Sequence, residues 1–233
     1  MQQILPHLYS FTGLQVGRVY LIDDGGDLTL IDSSLASAGK KILAQLAAAN
    51  YTAAQVKRIM ITHAHPDHIG SLKELFTATG AQVIASAEEA PVIEGKVPGK
   101  LPDRATLPPI YRLIPLTPTL YPAVPVGRIV KDGDVLDNVF GGLRVVATPG
   151  HAPGQIAFYQ PEKKLIITGD TLMHMFGLRL PMVMATPDMP EAKRSIRKLC
   201  EMDIETVLFG HGQPIMSGGR EQIRAFARSR GIL

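Results

Sequence analysis

Within one six-residue span, His63-Ala64-His65-Pro66-Asp67-His68, the chain places four side chains able to bind a metal. An apolar run from Val56 to Ile61, with Ile59-Met60-Ile61 at its heart, leads into this span and reads as a buried strand. After it, Ile69, Leu72, Leu75 and Phe76 fall on one side of a helix. The cluster therefore occupies a strand-to-helix turn, where side chains converge on one point. Three histidines and an aspartate packed this closely without a metal would leave polar groups unpaired or set like charges against each other. A metal site removes both costs, and it demands a fold that closes around this turn.

A chain of 233 residues buries a large core in one domain, and residues 1–233 are expected to form one. Hydrophobic content of 45% and charged content of 19% are those of a compact soluble protein. No run approaches the ~20 apolar residues of a membrane span. The opening Met-Gln-Gln-Ile-Leu-Pro lacks the basic and then apolar pattern of a secretory signal. A cytoplasmic protein with no membrane partner is expected. The single cysteine, Cys200, can form no internal disulfide and denies a cysteine-based zinc site; it reads as a small core residue on an amphipathic helix. Net charge of +3 permits an anionic small-molecule substrate and does not call for nucleic acid.

Residues 2–12 and 15–23 read as strands. Asp24-Gly25-Gly26 is a tight-turn signal, and Leu28 to Ile31 continues a meander. Ala36 to Asn50 has helical spacing, and Gln82 to Ala85 is a further strand. Residues 91–125 hold half of the 18 prolines, a density that forbids regular helix or central strand. Yet Ile110, Tyr111, Leu113, Ile114, Leu116, Leu120 and Tyr121 make this stretch apolar. It is expected to act as a lid or substrate wall, to pack over the core, or to form the contact of a homodimer. Strands follow at 128–130, 143–147, 155–159, 165–168 and 206–209. Helices run from about Met189 to Met202, with Pro190 near its start, and from Gly219 to Arg230. Each half gives several strands and then alternating strand and helix. This predicts an α+β fold, a four-layer αββα sandwich of two mixed sheets with helices on the outer faces.

Three more positions echo the first cluster: Thr148-Pro149-Gly150-His151, Thr168-Gly169-Asp170 and Phe209-Gly210-His211-Gly212. Each sets a histidine or aspartate after an apolar strand, beside glycine. Five histidines and two carboxylates exceed the ligands of one zinc ion and suit a two-metal centre. In order and spacing these residues resemble the metallo-β-lactamase-fold hydrolases, nearer the glyoxalase II and lactonase branch. The resemblance covers nearly the whole chain. It implies that His63, His65 and His151 hold one metal, that Asp67, His68 and His211 hold the other, and that Asp170 bridges both. It also implies that Asp32 supports the site from behind; read alone, Asp32 is equally a turn-forming residue. The implied cofactors are two divalent ions, zinc first, with iron, cobalt or manganese also suited to imidazole and carboxylate. The implied chemistry is attack by a metal-bridging hydroxide, with Asp67 handling the released proton. Asp170 and the missing signal set the chain apart from the secreted β-lactamases of this fold.

Lactonases of the branch often carry a tyrosine three residues past the bridging aspartate. This chain has Met173 there and His174 beside it. His174 is either a catalytic donor or a polar residue at the cleft side. Met173, Met175, Phe176, Leu178, Leu180, Met182, Val183 and Met184 form a soft apolar stretch, suited to a broad substrate wall or to packing. The chain ends shortly after His211, so the glutathione-binding region of glyoxalase II is not expected, and lactones and simple esters are favoured. The expected activity is hydrolysis of a lactone, ester or thioester, with side activity on phosphotriesters. The alternatives are a phosphodiesterase or nuclease of the same fold, a mononuclear iron dioxygenase acting on persulfides, and a metal-bearing binding protein. Arg194, Arg197, Lys198, Arg220, Arg224 and Arg228 read as a solvated helix face.

Overall fold

Alternating apolar residues draw the first half of the chain into a seven-stranded mixed sheet. The computed structural model describes residues 1–115 and 117–233, so Leu116 of the proline-rich stretch lies outside the described residues. Strands β1 (Gln2–Leu5), β2 (Leu8–Ser10), β3 (Tyr20–Asp24) and β4 (Asp27–Ile31) form an antiparallel meander. Strands β5 (Val56–Met60), β6 (Gln82–Ser86) and β7 (Arg128–Val130) then add in parallel. Gly25 and Gly26 hold φ of 72° and 101°, the sense that lets a tight hairpin follow the twist of its strands. Helices α1 (Gly39–Ala48), α2 (Pro66–Ile69), α3 (Leu72–Thr79) and α4 (Ala90–Ile93) belong to this half.

The second half forms a five-stranded sheet, of which four strands, β8 (Val135–Leu136), β9 (Leu143–Ala147), β10 (Ile156–Gln160) and β11 (Leu165–Ile167), run antiparallel to one another in that order. A separate hairpin, β12 (Met173–His174) and β13 (Leu178–Arg179), follows. Strand β14 (Thr206–Leu208) pairs in parallel with β11, and helices α5 (Met189–Cys200) and α6 (Gly219–Ser229) flank it in sequence.

The period of two along each strand fixes the layers. On β3, Leu21 packs with Ile42, Leu46, Leu72 and Leu75 of the helices, whereas Tyr20 and Ile22 face the other sheet. Between the sheets, Ile31, Met60 and Ile84 meet Val145, Phe158 and Ile167. On the far side, Val146, Ala157, Ile166 and Val207 pack against Ile196, Leu199 and Ile223. Each aliphatic side chain so buried contributes roughly 1.5–3 kcal/mol. The result is the expected αββα sandwich, and Cys200 is buried in its outer layer.

The structure departs from the sequence reading in three places. The strand expected over 2–12 breaks at Pro6-His7, and His7 turns with φ of 66°. The strand expected over 15–23 begins only at Tyr20; residues 11–19 are a loop, and Val16 is 43% exposed. A helix does enter the proline-rich stretch, because Pro91 sits in the first turn of α4, where a missing N–H costs nothing. Beyond it Ile110, Leu113 and Leu120 are exposed, so packing over the core does not describe those three. Among the described residues no helix is long and apolar enough to cross a membrane.

Candidate metal centre

Strand ends bring the cluster together. The turn after β5 carries His63 and His65, and Pro66 opens α2, whose first residues include Asp67 and His68. His151 lies beyond β9, Asp170 beyond β11 and His211 beyond β14. Three sets of ligand atoms result, each lying within 4.8 Å of one another: His63, His65 and His151; His63, His68 and Asp170; Asp67, His68 and His211. All seven residues that the sequence singled out as ligands therefore meet.

Hydrogen bonds behind the rings orient them. Thr62 commits its only O–H to Asp32 Oδ2, at 2.8 Å, so it accepts from His63 Nδ1, 3.1 Å away. His68 Nδ1 donates to the same Asp32 oxygen at 2.8 Å. Thr186 donates to the Met182 carbonyl, so it accepts from His151 Nδ1 at 3.1 Å. Each of these Nδ1 atoms thus holds a proton; the Nε2 of His63 offers a lone pair inward, that of His151 lies 2.9 Å from His65 Nδ1, and that of His68 would offer one only after losing a proton. Three buried atoms at the centre, His63 Nε2, His68 Nε2 and Asp170 Oδ1, have no hydrogen-bond partner. His68 Nε2 lies 3.5 Å from Asp170 Oδ1, near enough for attraction but without hydrogen-bond alignment. Buried polar atoms are rarely left so, and imidazole and carboxylate donors aimed at one point fit divalent metal ions.

The charges agree with that fit. Burial, reinforced by neighbouring histidines, lowers His63 well below the ordinary imidazole range, His65 to about 4 and His151 to about 3, so all three are neutral near pH 7. Burial opposes charge on His68 too, but Asp170 and Asp32 outweigh it and hold its pKa well above the ordinary value. At His211 burial is outweighed by hydrogen bonds to Asp170 and Asp67, which raise it to about 9. Burial pushes Asp67 up, yet His211 and His68 bring it down to about 2. The carboxylates therefore call for positive charge at this point, as protons or as metal.

A pH profile follows for chelator-treated protein. His65 and His151 bind fewer protons folded than unfolded, so stability is lost as pH falls from 6.5 toward 3. His211 has the opposite sign: its contribution is complete below 6.5 and is lost as pH rises through about 9. The melting temperature should peak between these limits and fall on both sides. Restoring metal should flatten the alkaline limb, because His211 then needs no proton. A melt series that shows no alkaline fall after chelation would contradict the cation at His211.

Asp32 supports the site and shapes the backbone together. Its φ is 61°, a left-handed conformation that aspartate and asparagine tolerate. Its two oxygens take the Thr62 N–H, the Thr62 O–H and the His68 Nδ1 proton. Asp32→Asn keeps the backbone and removes an acceptor. Metal affinity should drop by about 10–100-fold in a chelator competition; unchanged affinity would reduce Asp32 to a turn residue.

Sequence reasoning missed Thr186 and Glu89. Glu89, only 4% exposed, accepts from the Ala64 amide at 2.8 Å and the Gly154 amide at 2.7 Å. It thereby clips the turn of His63 and His65 to the loop after His151. Beside its identical neighbour Glu88, nothing in the sequence marked it as the buried one. His174 joins none of the three ligand sets. Its Nδ1 donates to the Gln213 carbonyl at 2.8 Å, and its main chain brackets the His211 turn, its N–H on the His211 carbonyl at 3.0 Å.

The chain is a metallo-hydrolase of the metallo-beta-lactamase superfamily, whose family model matches residues 12–211. Among its relatives, the probable metallo-hydrolase YflN of Bacillus subtilis is 29% identical over 224 residues, covering 87% of this chain and 83% of that protein. A hydroxyacylglutathione hydrolase of Cereibacter sphaeroides is 32% identical over 154 residues, 66% of this chain but 47% of that enzyme. Of solved structures, BJP-1, a subclass B3 metallo-beta-lactamase of Bradyrhizobium japonicum, superposes with a TM-score of 0.70 at 25% identity, over 97% of this chain and 89% of its own. A metallo-beta-lactamase family protein of Thermus thermophilus shares the fold with a TM-score of 0.72 at 24% identity, over 98% and 81%.

Proposed function

We propose that the chain hydrolyses a lactone, ester or thioester bond with two divalent ions. His63, His65 and His151 hold one ion, Asp67, His68 and His211 hold the second, and Asp170 lies between them. The observation that carries this reading is the reach of Asp170. Its Oδ2 lies 3.1 Å from His211 Nε2 and 3.5 Å from His151 Nε2, while Oδ1 lies 3.5 Å from His68 Nε2. One carboxylate that touches both triplets supports a two-ion centre over a mononuclear iron one. The partial likeness to a hydroxyacylglutathione hydrolase supports acyl chemistry.

Two divalent ions held here would supply a hydroxide nucleophile near neutral pH and polarise the acyl carbonyl. The residues do the rest. Asp67 is ionised at neutral pH, with its side chain 23% exposed toward solvent, so it can take the hydroxyl proton of the tetrahedral adduct as the adduct collapses and pass it to the leaving group. Fully buried His63 and His68 exclude water behind the reacting face. Glu89 and Asp32 keep the ligands in register.

Metal analysis joined to a panel of a lactone, a thioester, a phosphotriester and a persulfide tests the reading. The expected result is about two ions per chain and turnover of the acyl substrates. One iron per chain with oxygen uptake on the persulfide would overturn it in favour of a dioxygenase.

A further inference from the structure

A cavity of about 360 Å³ opens beside His211. Its walls come from the loop of residues 11–18, from Met175 and from the Gly210–Gly212 turn, and none of its lining residues is acidic. One of them, Arg18, is half-buried. Its main-chain N–H donates to the Gly210 carbonyl at 2.8 Å, and its Nε donates to the Gly212 carbonyl at 3.0 Å. These two bonds fix the side chain across the turn that carries His211. Among the described residues no carboxylate lies within ion-pair distance of its guanidinium, and its two terminal nitrogens have no partner. A second cation stands at the outer edge, where Lys41 Nζ donates to the carbonyl of Gly13 in the same wall.

A solvent-facing arginine is freely hydrated and mobile, but this one is held by its Nε bond to the Gly212 carbonyl in the cavity wall. A guanidinium with its two terminal nitrogens open forms a planar fork that matches a carboxylate. Phe11, Leu14, Val16 and Met175 give the same cavity an apolar side suited to a short carbon chain. We propose that the cavity is an anion subsite of the substrate. In it Arg18 binds a carboxylate at the far end of the acyl chain whose carbonyl reacts at the metal centre. The inference rests on the acyl-hydrolase reading and narrows its substrates to acyl groups with a terminal acid.

The test uses the metal-loaded full chain and two esters with one leaving group, 4-nitrophenyl hydrogen glutarate and 4-nitrophenyl valerate. Arg18→Gln should lower kcat/KM for the glutarate ester by about tenfold or more relative to the valerate ester, chiefly through KM. Arg18→Lys should recover part of the loss. Equal losses on both esters would make Arg18 only a brace for the His211 turn and overturn the subsite. Calorimetric titration with glutarate and valerate stands apart from turnover. If neither ester is hydrolysed, the acyl-hydrolase reading fails by itself, and the titration decides the subsite: glutarate binding weakened by Arg18→Gln sustains it, and binding unchanged in the variant sinks it.

Discussion

Asp170→Asn should cut turnover by at least ~10²-fold and release at least one metal ion, more than the loss of a supporting residue causes. Asparagine has nearly the shape of aspartate, so packing around a residue only 3% exposed should hold. What changes is the donor set. One oxygen becomes an NH₂ group, which cannot ligate a cation, and the negative charge is lost. Burial alone would raise the Asp170 pKa, but His68, His211 and His151 outweigh it and keep the group ionised. The substitution therefore removes a charge the surroundings are built to hold. Metal content by elemental analysis and turnover on the best panel substrate are the two readouts. Full activity with two tightly held ions would take Asp170 out of the centre.

Gly210→Ala should be almost as damaging, although Gly210 carries no chemistry. A Cβ there would lie 2.0 Å from Asp170 Oδ1 and 2.8 Å from His68 Cε1. The backbone cannot step aside easily. The Gly210 N–H donates to the Gly169 carbonyl at 2.8 Å, and its own carbonyl accepts from Arg18 at 2.8 Å. The strain falls on Asp170 and costs about 1–3 kcal/mol, a modest share of stability in a chain of this size. The expected signature is uneven. Circular dichroism should report a folded protein with a slightly lower melting temperature, while metal content and turnover collapse. A variant that keeps both ions would show that the backbone at Gly210 moves more freely than its bonds imply.

The seven converging side chains were legible because four of them crowd into six residues after an apolar strand, and His151, Asp170 and His211 each follow an apolar strand and a glycine. Once β-strand ends are recognised, their meeting at one edge of a sandwich follows. The layers were legible for a related reason: Tyr20, Leu21 and Ile22 alternate between two buried faces, a pattern that strand geometry alone enforces. Residues 15–19 were misread as strand because Val16 and Val19 lead into the apolar Leu21 and Ile22, although the spacing of three between the two valines breaks the period of two. Gly13 and Gly17, at φ of 64° and 71°, break the strand there. Thr186 and Glu89 were not legible at all. Each acts through a partner at least 25 residues away, Thr186 on His151 and Glu89 on Ala64 and Gly154. Local pattern carries no record of such contacts.

The chain has one cysteine and so no covalent means of joining its halves. The site offers a substitute. A divalent ion held by Asp67, His68 and His211 would tie the α2 turn to the end of β14, closing a loop of well over 100 residues, and His151 with His63 and His65 would close a second. A disulfide spanning a loop of that length restricts the unfolded chain by roughly 5 kcal/mol. Metal supply would then set not only the rate of the reaction but the lifetime of the protein. Protein starved of metal should be cut by proteases at sites that the loaded protein conceals.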